Sequence, residues 1–246
     1  MPDTRAHRGP DSRDARLFAP AAVPALRTAT AELSWLLTRG YVNPSALKLV
    51  GDRHALRDRP RVAVRRAACG DDALSGRTAR RTDLHNLSGR PVWVDGFNVV
   101  TTAEAALGGG VLLKCRDGCV RDMASMHGNY RRVAETGPAL ELLRGVLDAA
   151  GAGPVRWLLD RPVSNSGRLA GLIRDAAGPR DWTADCVADP DPLLYQTDGA
   201  DFVAATADAG ILDRCGPWCD LAGAAAGRVP GAWVVDLSAA AGAAAG

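Results

Sequence analysis

The stretch PVWVDGFNVV, residues 91 to 100, gives the clearest indication of how the second half of the chain folds. Its first four residues have the apolar, β-branched and aromatic character of a buried strand, and a carboxylate, Asp95, follows them directly. Gly96 allows a sharp turn of the backbone at this point, and Asn98 comes two residues later. An aspartate in this place either caps the helix that follows the strand or belongs to a polar site at the strand end.

Two further apolar strands end in an aspartate, VRWLLD at Asp160 and DFVAATAD at Asp208. Sites in open parallel sheets lie at the carboxyl ends of the strands, so three such ends on neighbouring strands would bring their carboxylates together. Clustered carboxylates repel one another and raise at least one pKa, and a Mg²⁺ or Mn²⁺ ion would remove that conflict. The pattern therefore predicts a Mg²⁺ or Mn²⁺ site with Asp95, Asp160 and Asp208 as ligands, unless each aspartate only caps a helix.

Strands and helical segments alternate from residue 91 to residue 237. The segments PALELLRGVLDAAG and SNSGRLAGLIRDAAG have helical spacing, MASMHGNYRRVAE is also expected to be helical, and DWTADCV and WVVDLS have the character of strands. The segment GGGVLLKCRDGCVRD predicts a hairpin that turns at residues 116–118. Such alternation predicts an α/β domain over residues 91–237, with a mostly parallel sheet flanked by helices.

The first part of the chain predicts a small all-α basic domain over residues 23–70. Apolar residues recur at helical spacing in PALRTATAELSWLLTRG, and two shorter helical segments follow, the last of which carries Arg65 and Arg66. Residues 1–22 and 238–246 are predicted to be disordered tails, and the polar residues 71–90 are predicted to be a linker.

The charge is distributed unevenly along the chain. Residues 1–90 contain 17 Lys and Arg against 9 Asp and Glu, whereas residues 91–246 contain 13 against 19. A basic first part beside an acidic second part indicates that one holds a polyanion and the other holds cations. An arginine-rich solvated surface beside an ordinary acidic one explains the same numbers.

Two segments offer phosphate-binding groups. The turn after Asp160 places hydroxyl and amide side chains where a helix is expected to begin, and free N–H groups at a helix N-terminus bind phosphate well. The segment HGNYRR offers Tyr130 for base stacking beside two arginines. An ordinary helix cap and a solvated helix face are the alternatives. With the two arginines of the basic domain, the candidates are Arg161, Ser164, Asn165, Ser166, Arg168, Arg131, Arg132, Arg65 and Arg66.

Other features exclude classes of protein. No run of about 18 apolar residues is present, so no membrane partner is expected. The N-terminus is charged and lacks the apolar region of a secretory signal, so a cytoplasmic protein with reduced thiols is expected. Two C-x₃-C pairs lie far apart in the chain, and no zinc is expected. The oligomeric state stays open, a homo-oligomer included.

Three motifs carry a resemblance to a known superfamily. VDGFNVV, the LLD at residues 158–160 and VAATADAGILD resemble the acidic elements of the PIN/NYN-like nucleases. The resemblance implies a Rossmann-like fold and a metal-dependent ribonuclease, with Asp95, Asp160 and Asp208 as ligands. Asp191, in ADPDPLL, would supply a further acid, and Asn98 would orient a ligand or a water. The chain departs from the pattern at Ala207, where serine or glycine is usual, and in the hairpin after the first strand.

The first part of the chain carries a second resemblance. LSWLLTRGYVNPSALKLVGDRHAL, followed by the α/β segment, is similar to the prokaryotic domain-of-unknown-function 434 proteins. This similarity extends over most of residues 25–236, but no established function comes with it.

Two main hypotheses for the function follow. The first is a Mg²⁺- or Mn²⁺-dependent ribonuclease, whose basic helices hold RNA and whose catalytic residues are Asp95, Asp160, Asp208 and Asn98. The second is a non-catalytic RNA-binding protein with a degenerate nuclease fold. A third hypothesis is an enzyme that uses the same metal cluster on small phosphoesters.

Overall fold

The computed structural model describes residues 7–124, 130–195 and 201–238. Within these ranges, no helix is both long enough and apolar enough to cross a lipid bilayer. Parts of the predicted tails, residues 1–6 and 239–246, lie outside the described residues.

Five helices form the first part of the chain. They are α1 (Asp14–Leu17), α2 (Val23–Thr38), α3 (Asn43–Arg53), α4 (Asp58–Ala67) and α5 (Asp71–Arg80). Helix α2 ends where Gly40 adopts a φ of +80°, and the N–H groups of Gly40 and Tyr41 there donate to the carbonyls of Leu37 and Leu36. The predicted helical region is therefore present, and it is longer than the sequence pattern indicated.

The predicted disordered tail and the predicted linker both contain a helix. Residues 14–17 form α1, and Asp14 is fully buried against Arg59, with 2.7 Å between the carboxylate and Nε. Residues 71–80, within the predicted linker, form α5, where Arg77 donates to Asp117. Ion pairs hold both segments in place. Because these residues are polar, the pattern of apolar residues did not predict the helices.

A five-stranded parallel sheet forms the centre of the second part. Its strands are β1 (Val92–Asp95), β4 (Val155–Asp160), β5 (Trp182–Val187), β6 (Val203–Ala205) and β7 (Trp218–Cys219), in the order β5-β4-β1-β6-β7. Every described pair in this sheet is parallel. The prediction of an α/β fold with a parallel sheet is therefore confirmed.

The predicted hairpin belongs to a second, smaller sheet. Strands β2 (Leu112–Lys114) and β3 (Val120–Asp122) pair antiparallel, and β8 (Val234–Asp236) pairs parallel to β2. Leu113 and Val235 of this sheet pack in one apolar core with Leu33 and Val64 of the N-terminal helices. The small sheet therefore joins the helical part to the α/β part.

Six α-helices lie in the described residues of the α/β part. They are α6 (Gly96–Leu107), α7 (Thr136–Ala149), α8 (Ser166–Ala177), α9 (Asp191–Leu194), α10 (Ala209–Leu212) and α11 (Leu221–Ala226). Helices α6, α7, α8 and α11 share the main core with residues such as Val94 and Trp157 of the sheet. Helices α9 and α10 contribute to a smaller core on the opposite face, with Leu158 and Ala204.

The helix expected over residues 123–135 is absent from its described part. Residues 130–135 are not helical, and α7 begins only at Thr136. Tyr130 is fully buried, and its hydroxyl donates to Glu104 at 2.5 Å, which fixes the segment against α6. This buried hydrogen bond competes with the helical conformation that the local sequence favours.

Candidate functional site

Three neighbouring strands place their carboxyl ends at one edge of the large sheet. Strand β1 lies between β4 and β6, all three parallel. Asp95 and Asp160 are the last residues of β1 and β4, and Asp208 stands three residues after the end of β6. The chain therefore brings the three predicted aspartates to the same edge of the sheet.

Asp95 is the most deeply buried of these carboxylates. Its side chain is 8% exposed, and Oδ2 accepts a hydrogen bond of 2.8 Å from the Thr206 hydroxyl. The pKa of Asp95 is raised to about 7. Burial is the largest cause, and the charges of Asp208, Asp191 and Asp160 also raise the pKa, whereas the hydrogen bond from Thr206 lowers it. Asp95 forms no side-chain cap on α6, so a capping role does not account for it.

Thr206 connects two of the aspartates and was not singled out by the sequence analysis. It is 1% exposed, donates to Asp95, and accepts from the backbone N–H of Asp208 at 3.0 Å. The sequence contains a signal for this role, because Thr206 stands two residues before the aspartate of an acidic strand end. Its hydroxyl holds the loop after β6 against the end of β1.

Asn98 and Asp208 complete this loop. The Asn98 Oδ1 atom accepts from the Ala207 N–H at 2.9 Å. Asp208 is exposed, and its carboxylate caps α10 by accepting from Gly210 and Ile211. Asp208 therefore has the capping role that was one of the alternatives for these aspartates. Asn98 fixes the backbone of Ala207, the residue before Asp208.

Gly96 makes the close approach at the end of β1 possible. A Cβ atom there would lie 2.5 Å from Leu159 Cδ2 and 2.8 Å from the Leu158 carbonyl oxygen. Because the second contact is with backbone of β4, no side chain can be accommodated without a shift of the strand. The glycine after Asp95 is required by packing.

Asp160 and Asp191 extend the acidic edge. Burial and then the neighbouring Asp189 charge raise the pKa of Asp160. Burial also raises the pKa of Asp191, and the charges of Asp208, Asp189 and Asp160 raise it further. Both carboxylates therefore lie within electrostatic reach of the other acids, although Asp191 also accepts a 3.4 Å hydrogen bond from the Tyr195 hydroxyl.

The carboxylate oxygens at this edge are ligands that suit a hard divalent cation, but they do not surround an ion on all sides. Among residues 7–124, 130–195 and 201–238, no three His, Cys, Asp or Glu side chains stand where they could hold one ion together. Mg²⁺ is usually bound through one or two carboxylates and several waters, so a full protein cage is not required. Among the neighbouring charges, that of Asp208 has the largest effect on the pKa of Asp95, so Asp95 and Asp208 are the pair that could hold such an ion.

A cleft of about 980 Å³ opens beside this edge, between the helical part and the α/β part. Asn98 and Asp208 line it from the α/β side, and Arg65 and Arg66 of α4 line it from the helical side. Arg65 is exposed and has no hydrogen bond or ion pair with the described residues, whereas Arg66 donates to the carbonyl of Ala124 at 2.5 Å. The fold therefore sets predicted basic and acidic residues around one opening.

Two buried arginines support the wall of the cleft. Arg121, on β3, donates to the Ala207 carbonyl at 2.6 Å and to both Asp117 oxygens, and Arg77 donates to Asp117 as well. Burial raises the pKa of Asp117, but Arg121 and Arg77 outweigh it and hold the pKa at about 2. The hairpin that carries Arg121 thereby fixes the residue that precedes Asp208.

Some residues of the predicted phosphate-binding turn are buried or bound to the backbone, and others are exposed. Helix α8 begins at Ser166, as expected, but Ser166 is buried, and the Asn165 amide donates to the Tyr130 carbonyl at 2.7 Å. Arg161 donates to the Cys186 carbonyl at 2.8 Å. Ser164 and Arg168 are exposed. Ser164 and Arg168 stay candidates, whereas the side chains of Asn165 and Arg161 are already bound to backbone carbonyls and Ser166 is buried.

The predicted HGNYRR segment cannot supply a stacking tyrosine. Tyr130 is 1% exposed and packs on Phe97, with 5.2 Å between the ring centroids, so no base can reach it. Arg131 and Arg132 are exposed. Residues 125–129, which include the rest of the motif, lie outside the described residues.

The paired cysteines are buried thiols. Cys115, Cys119, Cys215 and Cys219 are all free, and burial raises the pKa of each. Cys115 and Cys119 flank the turn of the β2–β3 hairpin, where the Cys115 N–H donates to the Cys119 carbonyl at 2.9 Å. Their observed role is to pack this turn.

Comparison with known proteins defines the family. The family described as a domain of unknown function (DUF5616) matches residues 84–224, more than half of the chain, so the chain belongs to it. The family described as a protein of unknown function (DUF434) matches residues 25–80, which confirms the resemblance of the N-terminal sequence.

A curated relative extends the similarity. An uncharacterised protein of Methanocaldococcus jannaschii is 29% identical over 150 residues, which span 61% of this chain and 72% of that protein. No solved structure matches the chain significantly.

Proposed function

We propose that this protein is a Mg²⁺- or Mn²⁺-dependent ribonuclease, with a PIN/NYN-like active site at the acidic edge of the large sheet. The observation that carries the proposal is the buried Asp95, whose pKa is raised to about 7 beside three further carboxylates. Carboxylates with strongly perturbed pKa values are typical of functional sites, and a divalent cation would stabilise their charged forms. The chemistry that such an ion supplies is activation of water and stabilisation of charge on a phosphodiester.

The residues of the chain would divide this work. Asp95 and Asp208 would hold the ion, Thr206 and Asn98 would keep the two strand ends in register, and Arg65 would attract the RNA phosphates into the cleft. Asp160 and Asp191 would add negative charge at the same edge. We also propose a cytoplasmic location, because all six cysteines are free thiols, as is typical of a reducing compartment.

The test is a cleavage assay with purified protein, labelled RNA and either Mg²⁺ or Mn²⁺. Wild-type protein should cleave, chelation should stop cleavage, and Asp95→Asn should abolish it while the fold persists. Asp181→Asn is the matched control, since this exposed aspartate precedes β5 at the opposite end of the sheet and should leave cleavage unchanged. Equal cleavage by wild type and Asp95→Asn would refute the proposal.

One observation favours the alternative, a non-catalytic RNA-binding protein. The described residues bring no three potential ligands together, and Asp208 is engaged as a helix cap. That alternative predicts salt-sensitive RNA binding that survives Asp95→Asn, with no cleavage under any metal condition.

A further inference from the structure

Exposed apolar side chains concentrate on the N-terminal helices. Of the six large apolar side chains that are exposed in the described part of the chain, four fall between residues 35 and 49. Trp35 is 55% exposed, Tyr41 56%, Val42 68% and Leu49 61%, and we call these four residues the aromatic patch. Exposed large apolar side chains that concentrate in one short segment indicate an interaction site.

The local structure brings the members of the patch together. The Tyr41 N–H donates to the Leu36 carbonyl, which folds the turn after α2 back toward Trp35. Val42 is the extended residue that precedes α3, and Leu49 is exposed on that helix. The patch thus runs from Trp35 near the end of α2, through the turn at Tyr41 and Val42, to Leu49 on α3.

The patch adjoins the cleft of the proposed active site. Asn43 and Pro44, which follow Val42 directly, line the cleft, as does Leu47 one turn further along α3. Arg65, on the neighbouring helix α4, lines the same cleft. The patch and the cleft therefore meet at the start of α3, between Val42 and Asn43.

The net charge of the helical segment that carries the patch favours an anionic partner. Residues 25–70 contain nine Lys and Arg against three Asp and Glu. The Arg39 guanidinium lies over the Trp35 ring, 3.5 Å from its centroid, so a cation is already placed at an exposed aromatic face. Exposed aromatic rings next to arginines form the surface on which single-stranded nucleic acids stack their bases while their phosphates meet the cations.

We propose that the aromatic patch binds the bases of single-stranded RNA that extends out of the cleft, with Trp35 and Tyr41 as stacking platforms. The proposal rests on the proposed RNA substrate, and it adds a binding surface outside the acidic edge. Binding through stacked bases carries no sequence code, since every base has a stacking face. A substrate must therefore present several unpaired nucleotides beyond the cleavage position.

The test measures the affinity of the full chain for a fluorescein-labelled oligouridine of about 12 nucleotides, by fluorescence anisotropy in EDTA. Chelation separates binding from cleavage. We expect Trp35→Ala and Tyr41→Ala each to weaken binding by about tenfold, because loss of a stacked base costs that order of affinity. Trp35→Phe and Tyr41→Phe should restore most of it. Val234→Ala, which trims an exposed apolar residue on β8, is the matched control and should bind like wild type.

The salt dependence of the affinity gives a second readout. The alanine variants should keep the wild-type slope of log affinity against log salt, since they remove no phosphate contact, whereas Arg65→Ala should make that slope shallower. Unchanged affinity in both alanine variants would overturn the proposal, as would absence of RNA binding by the wild type. A loss of self-association in those variants, with RNA affinity unchanged, would show instead that the patch joins two copies of the chain.

Failure of the proposed function would look different. If the wild type binds the oligouridine through the patch but cleaves no RNA with Mg²⁺ or Mn²⁺, the ribonuclease proposal fails and the binding surface stands. If the wild type cleaves RNA while the alanine variants bind as well as wild type, the binding surface fails and the ribonuclease proposal stands.

Discussion

Asp95→Asn removes a charge that the fold buries at the end of β1. The raised pKa means that the folded state binds a proton more tightly than the unfolded chain does. The charged carboxylate therefore destabilises the folded state, and this destabilisation is complete above pH 7. It decreases as the pH falls from 7 toward 3.8, the ordinary pKa of an aspartate. Asparagine keeps an oxygen that can accept from Thr206 and carries no charge. We expect the substitution to stabilise the metal-free protein.

The size of the effect follows from the pKa. Each pKa unit corresponds to about 1.4 kcal/mol, so a rise from 3.8 to about 7 corresponds to about 4 kcal/mol at pH 8. At pH 5, where most folded molecules already carry the proton, about 2 kcal/mol remains. The gain from Asp95→Asn should therefore shrink by about half between pH 8 and pH 5.

Urea unfolding of both proteins in EDTA, at pH 8 and pH 5, measures these free energies. Asp181→Asn serves as the control, because that exposed side chain should change stability little at either pH. A lower free energy of unfolding for Asp95→Asn, or an increase that does not depend on pH, would refute the claim that the buried charge of Asp95 destabilises the fold.

Three other substitutions test neighbouring parts of the account. Gly96→Ala should lower the melting temperature and cost about 1–3 kcal/mol, because its Cβ would collide with β4; a wild-type melting curve would contradict this. Thr206→Val should cost about 1–2 kcal/mol and raise the pKa of Asp95, which carboxyl NMR titration can follow; an unmoved titration would show that the hydroxyl is not a donor to Asp95. Glu104→Gln should lower the free energy of unfolding by about 3 kcal/mol in urea, since it leaves the buried Arg8 without its carboxylate, 2.9 Å away; a loss below 1 kcal/mol would show that the pair contributes little.

Much of the α/β part could be predicted from the sequence because local pattern and final structure agree there. The strand that ends at Asp95 is a short apolar run, and Val92 and Val94 point into the main core as that run predicts. Parallel pairing followed from the alternation of strands and helices, and it brought Asp160 and Asp208 to the edge where Asp95 lies. These features depend on short-range periodicity, which a single sequence displays.

The features that were missed depend on contacts between distant residues. Arg8 reaches Glu104 across 96 positions, and Arg77 reaches Asp213 across 136. Such pairs order segments whose composition alone indicates a tail or a linker. The buried Tyr130 illustrates the same limit, because its hydrogen bond to Glu104 overrides the helical preference of its segment.

The central claim is that the acidic edge of the sheet holds a divalent cation. Anomalous diffraction from crystals of the protein soaked in Mn²⁺ tests it most directly. We expect a peak bound by Asp95 and Asp208, with metal–oxygen distances of roughly 2.0–2.6 Å, that disappears in Asp95→Asn crystals. A wild-type crystal that shows no Mn²⁺ peak at this edge, or a peak that persists unchanged in Asp95→Asn, would contradict the account.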